Sequence, residues 1–237
     1  MDLEPLLVLQ EHDLALDRLR HRRAALPERA AVADADAAVT ALDAEIDRRR
    51  GPLADLTRTQ EGHEAEALRL AAQADAADAR LYSGEITSPK ELQALQADVA
   101  QLRRHQSAVE DHALAVMEER EPLEAEVGAL EAQRTALIAA RDDHRDALRS
   151  AEAAVDAEIG AEQGLRDAAA AALAPTVLAL YERCRSASAT RVGVARLVGS
   201  TCQGCRLTIP ATEVDALRNA PPGTIAHCDN CGAILVP

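Results

Sequence analysis

Four cysteines stand in two pairs, Cys202-Gln-Gly-Cys205 and Cys228-Asp-Asn-Cys231, with 22 residues between the pairs. Thiolates at this spacing can surround one divalent cation. Each pair fits a tight turn whose backbone N–H groups point at the sulfurs, and a full set of four sulfurs leaves no coordination position open to water or substrate. The chemistry expected is therefore one structural Zn2+ held by Cys202, Cys205, Cys228 and Cys231, with iron in a rubredoxin-like knuckle site as the alternative. Disulfide pairing would require an oxidising compartment, and the opening Met-Asp-Leu-Glu has neither the basic nor the apolar stretch of an export signal. A thioredoxin-like redox pair would stand alone beside a βαβ pattern; here two pairs occur, with Gly204 inside one and Gly232 just after the other. Cys184, on a helical stretch, reads as a small buried apolar residue. His227 adjoins Cys228 and is the side chain placed to substitute for a thiolate.

The composition of the whole 237-residue chain says what must position that site. The chain has no Phe, no Trp and two Tyr, Tyr82 and Tyr181, so an ordinary aromatic core is excluded. Ala, Leu, Glu, Asp and Arg dominate, which is the composition of long helices and coiled coils. The net charge of −14 is uneven: residues 174–237 carry six Arg against four acids, so the excess of acid lies in residues 1–173. An acidic stalk should bear a mildly basic head. The basic excess of that head is far below the dense patch that marks nucleic-acid binding. No apolar run is long enough to span a bilayer. The single lysine, Lys90, against 25 Arg reads as a GC-rich coding bias.

Apolar residues alternate at three and four along Val32, Ala35, Val39, Leu42, Ile46, Leu53 and Leu56, with Arg49 interrupting the seam. Leu9, Leu16, Leu19 and Leu26 repeat the pattern earlier, with polar His12 and Arg23 between. It returns from Leu92 to Leu137, with Gln106, Arg120 and Arg134 as polar members. Such seams need a partner helix. Between them Leu81-Tyr-Ser-Gly-Glu-Ile-Thr-Ser88 breaks the period, and Ser88-Pro-Lys-Glu91 reads as an N-cap, a first-turn proline and a capping box. The two helices should fold back as an antiparallel hairpin with its tip near 82–88, residue i facing about 170−i. Pro52 and Pro122 then form a shared kink, and Pro27 a milder one. Such an arm would be roughly 110 Å long.

The expected organisation is mainly α: a long kinked antiparallel coiled-coil hairpin over 1–174, a short helix and linker over 175–190, and a small C-terminal β zinc ribbon over 191–237. Within the ribbon, strands are expected over 191–199, 206–209 and 233–236, with 224–227 leading into the second cysteine turn. Thr212 should cap a short helix to Arg218, and Pro221-Pro222-Gly223 should form a turn. A unit this small has little core of its own, so its folding should depend on the ion.

The hairpin, the tip Leu81-Tyr-Ser-Gly-Glu-Ile-Thr-Ser-Pro-Lys-Glu-Leu92 and the paired cysteines ending in Ile-Leu-Val236 resemble a bacterial family across essentially the whole chain. It is the family of coiled-coil proteins with a C-terminal four-cysteine zinc ribbon, long catalogued as a domain of unknown function. The resemblance implies the ribbon ligands named above and a tip motif at Tyr82, Ser83, Gly84, Pro89, Lys90 and Glu91. It also implies a scaffold or chaperone role, since better-studied members resemble binders of an alternative sigma factor, secretion components or a flagellin message.

Three functions follow as expectations. The first is a cytoplasmic, non-enzymatic adapter or scaffold that binds protein partners, in transcription or RNA handling, through the tip residues Tyr82, Glu85 and Lys90 and the head. The second is a regulator that enters the RNA polymerase secondary channel with Glu85, Glu91 being occupied in capping. The third is a ribbon that binds single-stranded nucleic acid through Arg191, Arg196, Arg206 and Arg218, without any aromatic residue in the ribbon for stacking. Phosphate-binding glycine loops, nucleophile motifs and an open zinc position are all missing from the sequence, so neither catalysis nor a small-molecule substrate is expected. Among the scattered histidines, His105 and His112 come nearest to a pair.

Overall fold

The computed structural model describes residues 3–221 and 224–236, and Pro222 and Gly223 of the expected turn lie outside them. In chain order the elements are α1 (Glu4–Ala24), α2 (Pro27–Tyr82), α3 (Pro89–Ala171), α4 (Pro175–Ala187), β1 (Val194–Val198), β2 (Thr201–Cys202), α5 (Ala211–Arg218), β3 (Ala226–His227) and β4 (Ile234–Val236). The fold is mainly α, an antiparallel coiled-coil hairpin with a small β ribbon. It divides into two compact units, one of residues 31–144 and one of residues 1–30 with 145–237.

In the 31–144 unit, α2 and α3 pack antiparallel along the heptad seam. Val39, Ile46, Ala67, Leu70 and Ala74 are buried on α2, and Val109, Ala113 and Val127 on α3. These are the positions that three-four spacing brings onto one stripe. Asp36 faces Arg141, Asp43 faces Arg134 and Asp75 faces Arg103. Those numbers add to 177, 177 and 178, where a symmetric turn near residue 85 predicts about 170. The helices thus face each other in a shifted register, because the connection 83–88 runs beside the first turns of α3. Pro52 and Pro122 lie inside α2 and α3 at nearly the same level in this register. Each removes one helical hydrogen bond, which bends both helices there.

Three polar seam members find carboxylate partners: Arg49 reaches Glu126 at 2.9 Å, Arg134 pairs with Asp43, and Gln106 donates to Glu110 at 2.8 Å, while the fourth, Arg120, lies 3.6 Å from Glu124 without a hydrogen bond at its buried Nε. The histidine contact runs across the helices, His63 with His112 at 5.7 Å between ring centroids, in place of the expected His105–His112. At the tip, Gly84 takes a φ of 77°. Ser88 accepts the Leu92 N–H through its backbone carbonyl. Neither the Ser88 hydroxyl nor the Glu91 carboxylate makes a capping bond, so the capping box is not formed and Pro89 alone starts the helix.

In the other unit, α1, the end of α3, α4 and a four-stranded sheet pack together. Pro27 does not kink a longer helix as expected. α1 ends at Ala24, and Pro27 opens α2, where a proline costs no hydrogen bond. The sheet order is β2-β1-β4-β3, with β1 and β4 parallel and the outer pairs antiparallel. The strand expected over 206–209 is reduced to a single bridge between Thr201 and Thr208. Arg206 is in the left-handed region and stops the chain from extending. α5 begins behind Pro210, with Thr212 inside the helix and no side-chain cap.

Alternation along the strands gives the sheet two apolar faces. Val194, Ile234 and Val236 join Leu3, Leu6, Leu9, Ala170, Val177 and Tyr181 in one core. On the other face Ala195, Leu197 and Leu235 join Ile209, Val214, Cys202 and Cys228. The ribbon is therefore sandwiched between helices and its own cysteine turns.

Candidate metal centre

The two cysteine turns share one backbone. In the first, the Arg206 N–H donates to the Cys202 carbonyl at 2.8 Å, and the Cys202 N–H donates to the Leu207 carbonyl at 3.1 Å. In the second, Gly232 donates to Cys228 at 2.8 Å, and Cys228 donates to Ala233 at 2.9 Å. Both turns aim their sulfurs at one point, and the four Sγ atoms lie within 4.8 Å of one another. Cys202 and Cys231 are 3.9 Å apart, and Cys205 and Cys228 are 3.8 Å apart. A tetrahedral zinc about 2.3 Å from each sulfur sets its ligands about 3.8 Å from one another, so the donor set fits the ion.

Electrostatics agree with that fit. Burial pushes the Cys202 thiol up and the Cys231 thiol up to about 12. The N–H of Leu207 draws the Cys205 thiol below the ordinary value. The N–H groups of Gly204, Cys205, Leu207 and Ala233 bond the sulfurs and favour thiolate, against the desolvation that disfavours it. A bound divalent cation supplies the charge that makes buried thiolates stable. His227 lies outside the set: its Nδ1 is 3.3 Å from the Gly232 carbonyl and 3.7 Å from the Cys184 sulfur. Cys184 is half-buried beside it and ligates nothing.

The ribbon is fixed to α1 by a polar network that the sequence pattern did not single out. The Gln10 carbonyl oxygen accepts the N–H groups of Gly193, at 2.5 Å, and Val194, at 3.4 Å, where β1 begins. A side chain on Gly193 would stand 2.8 Å from the Tyr181 ring, so only glycine lets the strand pass here. Tyr181, fully buried, donates to Asp13 at 2.6 Å. Burial first, then this bond, holds its phenol neutral far above the usual range. Arg166 reaches the same carboxylate at 3.3 Å, and Arg185 bridges from Asp13 to Asp17, 2.6 Å away. The buried charges thus partner one another, as burial demands. Gln10 and Asp13 lie beside Leu6, Leu9 and Leu16 on one stripe of α1. Polar residues interrupting an apolar stripe were the available signal.

The remaining residues singled out from sequence are dispersed. Tyr82 is 84% exposed and does not pack over the turn, while Glu85 and Lys90 stand in solvent beside it. Two of the four head arginines are held by carboxylates of α1. Arg191 pairs with Asp17 at 3.1 Å, and Arg196 makes two bonds to Glu4, at 3.0 and 2.6 Å. Among the described residues, Arg218 reaches only the Gly199 carbonyl at 3.4 Å, and Arg206 is exposed without an ion pair.

Comparison with known proteins matches this geometry. Residues 9–189 match the CT398-like coiled coil hairpin domain, and residues 201–235 match the C4-type zinc ribbon domain. The uncharacterized protein Rv2229c of Mycobacterium tuberculosis is 34% identical over 235 residues, covering 98% of this chain and 93% of that protein. A solved structure from Mycobacterium smegmatis superposes with a TM-score of 0.85 at 26% identity, covering 98% of this chain and 96% of its own. CT398 from Chlamydia trachomatis shares the fold, with a TM-score of 0.69 at 17% identity and the same coverage of 98% and 96%. With four clustered thiols on a matching ribbon and a matching hairpin, the chain belongs to the CT398-like coiled-coil hairpin family and carries a C4-type zinc ribbon with one structural zinc site.

Proposed function

We propose that this protein is a non-enzymatic cytoplasmic adapter that binds protein partners through the α2–α3 tip and the ribbon, in transcription or RNA handling. The observation that carries the reading is the tip. Tyr82 projects its ring into solvent, and the side chains of Tyr82, Glu85 and Lys90 make no hydrogen bond or ion pair among the described residues. An aromatic ring left in water contributes nothing to this fold, whereas aromatic anchors dominate protein interfaces. The ribbon supports the same reading, because its metal site is closed and small zinc ribbons serve as docking modules in transcription. Thiolate ligands favour a reducing compartment, which supports the cytoplasm. No helix among the described residues is long and apolar enough to cross a membrane. The nucleic-acid reading is weakened because Asp17 and Glu4 neutralise two of the four head arginines.

A second reading, an acidic tip that acts in the polymerase secondary channel, is favoured by one finding: Glu91 is exposed and not engaged in capping, so it stands free along with Glu85. Unchanged transcript cleavage and pausing on addition of the protein would dispose of it.

The adapter is tested by capture of the tagged chain from lysate of its own cells, with and without nuclease, scored for RNA polymerase, sigma and ribosomal subunits. Nuclease-resistant recovery that is lost in a Tyr82→Ala, Lys90→Ala double variant is expected. Recovery indifferent to that variant removes the tip from the reading, and recovery abolished by nuclease replaces the adapter with a nucleic-acid binder.

A further inference from the structure

The two cysteine turns have one backbone but different surfaces. Each places the residue after its second cysteine in the left-handed region, φ 73° at Gly232 and φ 63° at Arg206. Glycine adopts that conformation freely, while an arginine pays for it through its Cβ. The turn's own backbone bond from the Arg206 N–H to Cys202 would form equally with glycine, and among the described residues the Arg206 guanidinium is exposed and makes no hydrogen bond or ion pair that offsets the cost. The next residue repeats the contrast. Ala233 is fully buried, whereas its counterpart Leu207 is 52% exposed. At these two positions the second turn offers solvent only a glycine and a buried alanine. The first performs the same metal-holding task and also lifts a cation and an isobutyl group into solvent. Strain kept where glycine would do the backbone's work marks the side chain as the feature with a role.

We propose that the Arg206–Leu207 knuckle is the ribbon's docking surface for an acidic segment of a partner protein, taking a carboxylate on the guanidinium and an apolar side chain against Leu207. This deepens the adapter reading and rests on it. Charge decides the class of partner. Arg191 and Arg196 are already satisfied by Asp17 and Glu4, so Arg206 is a local cation on a chain of net charge −14. A local cation beside an apolar group complements a carboxylate next to an aliphatic residue. A nucleic-acid backbone needs several cations in line and would leave Leu207 unused. Bases would find no aromatic platform, since residues 191–237 contain none.

The test uses the zinc-loaded full chain, titrated by fluorescence anisotropy against a labelled peptide of aspartates and glutamates with leucines at helical spacing. A leucine-free peptide of equal charge and single-stranded polyuridylate serve as competitors. Arg206→Gly should raise the melting temperature by a few degrees, as relief of left-handed strain predicts, while weakening the leucine-bearing peptide about tenfold or more, as loss of a charge-assisted hydrogen bond does. Leu207→Ser should weaken that peptide and leave the leucine-free one unchanged. The proposal is overturned if Arg206→Gly leaves peptide affinity intact. It is equally overturned if Arg206→Gly lowers the melting temperature, because the arginine would then serve the fold. Polyuridylate binding tighter than the peptide, with the same dependence on Arg206, would assign the knuckle to nucleic acid. Failure here with successful capture through the tip removes this surface and leaves the adapter standing.

Discussion

Replacing Tyr181 with Phe isolates one bond of the network that fixes the ribbon to α1. The ring is fully buried and fills the same space in the variant, so the change removes only the phenol hydroxyl that donates to Asp13 at 2.6 Å. A hydrogen bond to a charged acceptor contributes about 1.5–3 kcal/mol. At about 2–4 °C per kcal/mol for a chain of this size, the melting temperature near pH 8 should fall by roughly 3–12 °C. The pH dependence carries a definite sign. Burial and the Asp13 carboxylate raise the folded phenol above its ordinary value near 10, so its contribution is complete below that pH and is lost as pH rises beyond it. Each unit above pH 10 removes about 1.4 kcal/mol from the wild type and nothing at this position from the Phe variant. Melting curves of both proteins between pH 8 and 11 should therefore converge. A gap that stays constant across that range, or no gap at pH 8, would refute the assignment of this stability to the phenol–carboxylate bond.

Asp13→Ala should cost more, about 3–5 kcal/mol by urea unfolding, because it strands Arg185 and Arg166 in a buried setting. Gly193→Ala should cost about 1–3 kcal/mol, since the added Cβ would meet Tyr181 ring carbons and its carbonyl oxygen at 2.8–2.9 Å; an unchanged midpoint would contradict this. Chelating zinc under reducing conditions should erase amide protection across β1–β4 while the far-ultraviolet helical signal of residues 31–144 persists. Tyr82→Ala should change stability by no more than about 0.5 kcal/mol in the same unfolding experiment, whatever it does to partner capture.

The parts of this fold that could be read from sequence are those set by local repetition. Heptad spacing named the buried face of α3 and that of α2 as far as Leu56, because a period of three and four fixes which residues meet, while Gln60, Ala67, Leu70 and Ala74 on the small-residue stretch before the tip were missed. Cysteine spacing named the zinc ligands, because coordination tolerates little variation. What escaped were features set by distant partners. The register of the hairpin depends on how residues 83–88 run beside α3, which the turn composition does not encode. Pro27 looks the same in sequence whether it bends a helix or begins one. Arg206–Ile209 alternates like a strand, and only the geometry of the cysteine turn forces Arg206 out of extension. The docking of Arg191 and Arg196 onto α1 was hidden because Asp17 and Glu4 lie nearly the whole chain away, and charge counts reveal balance but never pairing.

Gln10 and Gly193 are 183 residues apart, yet the bond between them anchors the first strand of the ribbon. During synthesis at about 5–20 residues per second, α1 must wait on the order of ten to forty seconds for that partner. Until then Leu6 and Leu9 have no sheet to cover them, and the carboxylate of Asp13 has no phenol to meet. The end of α3, made in between, returns beside α1, where Ala170 shares a core with Leu6 and Leu9. A ribosome stalled before the ribbon emerges would leave Leu6 and Leu9 without their cover, and that interval is when a chaperone or a holding partner would find α1 exposed.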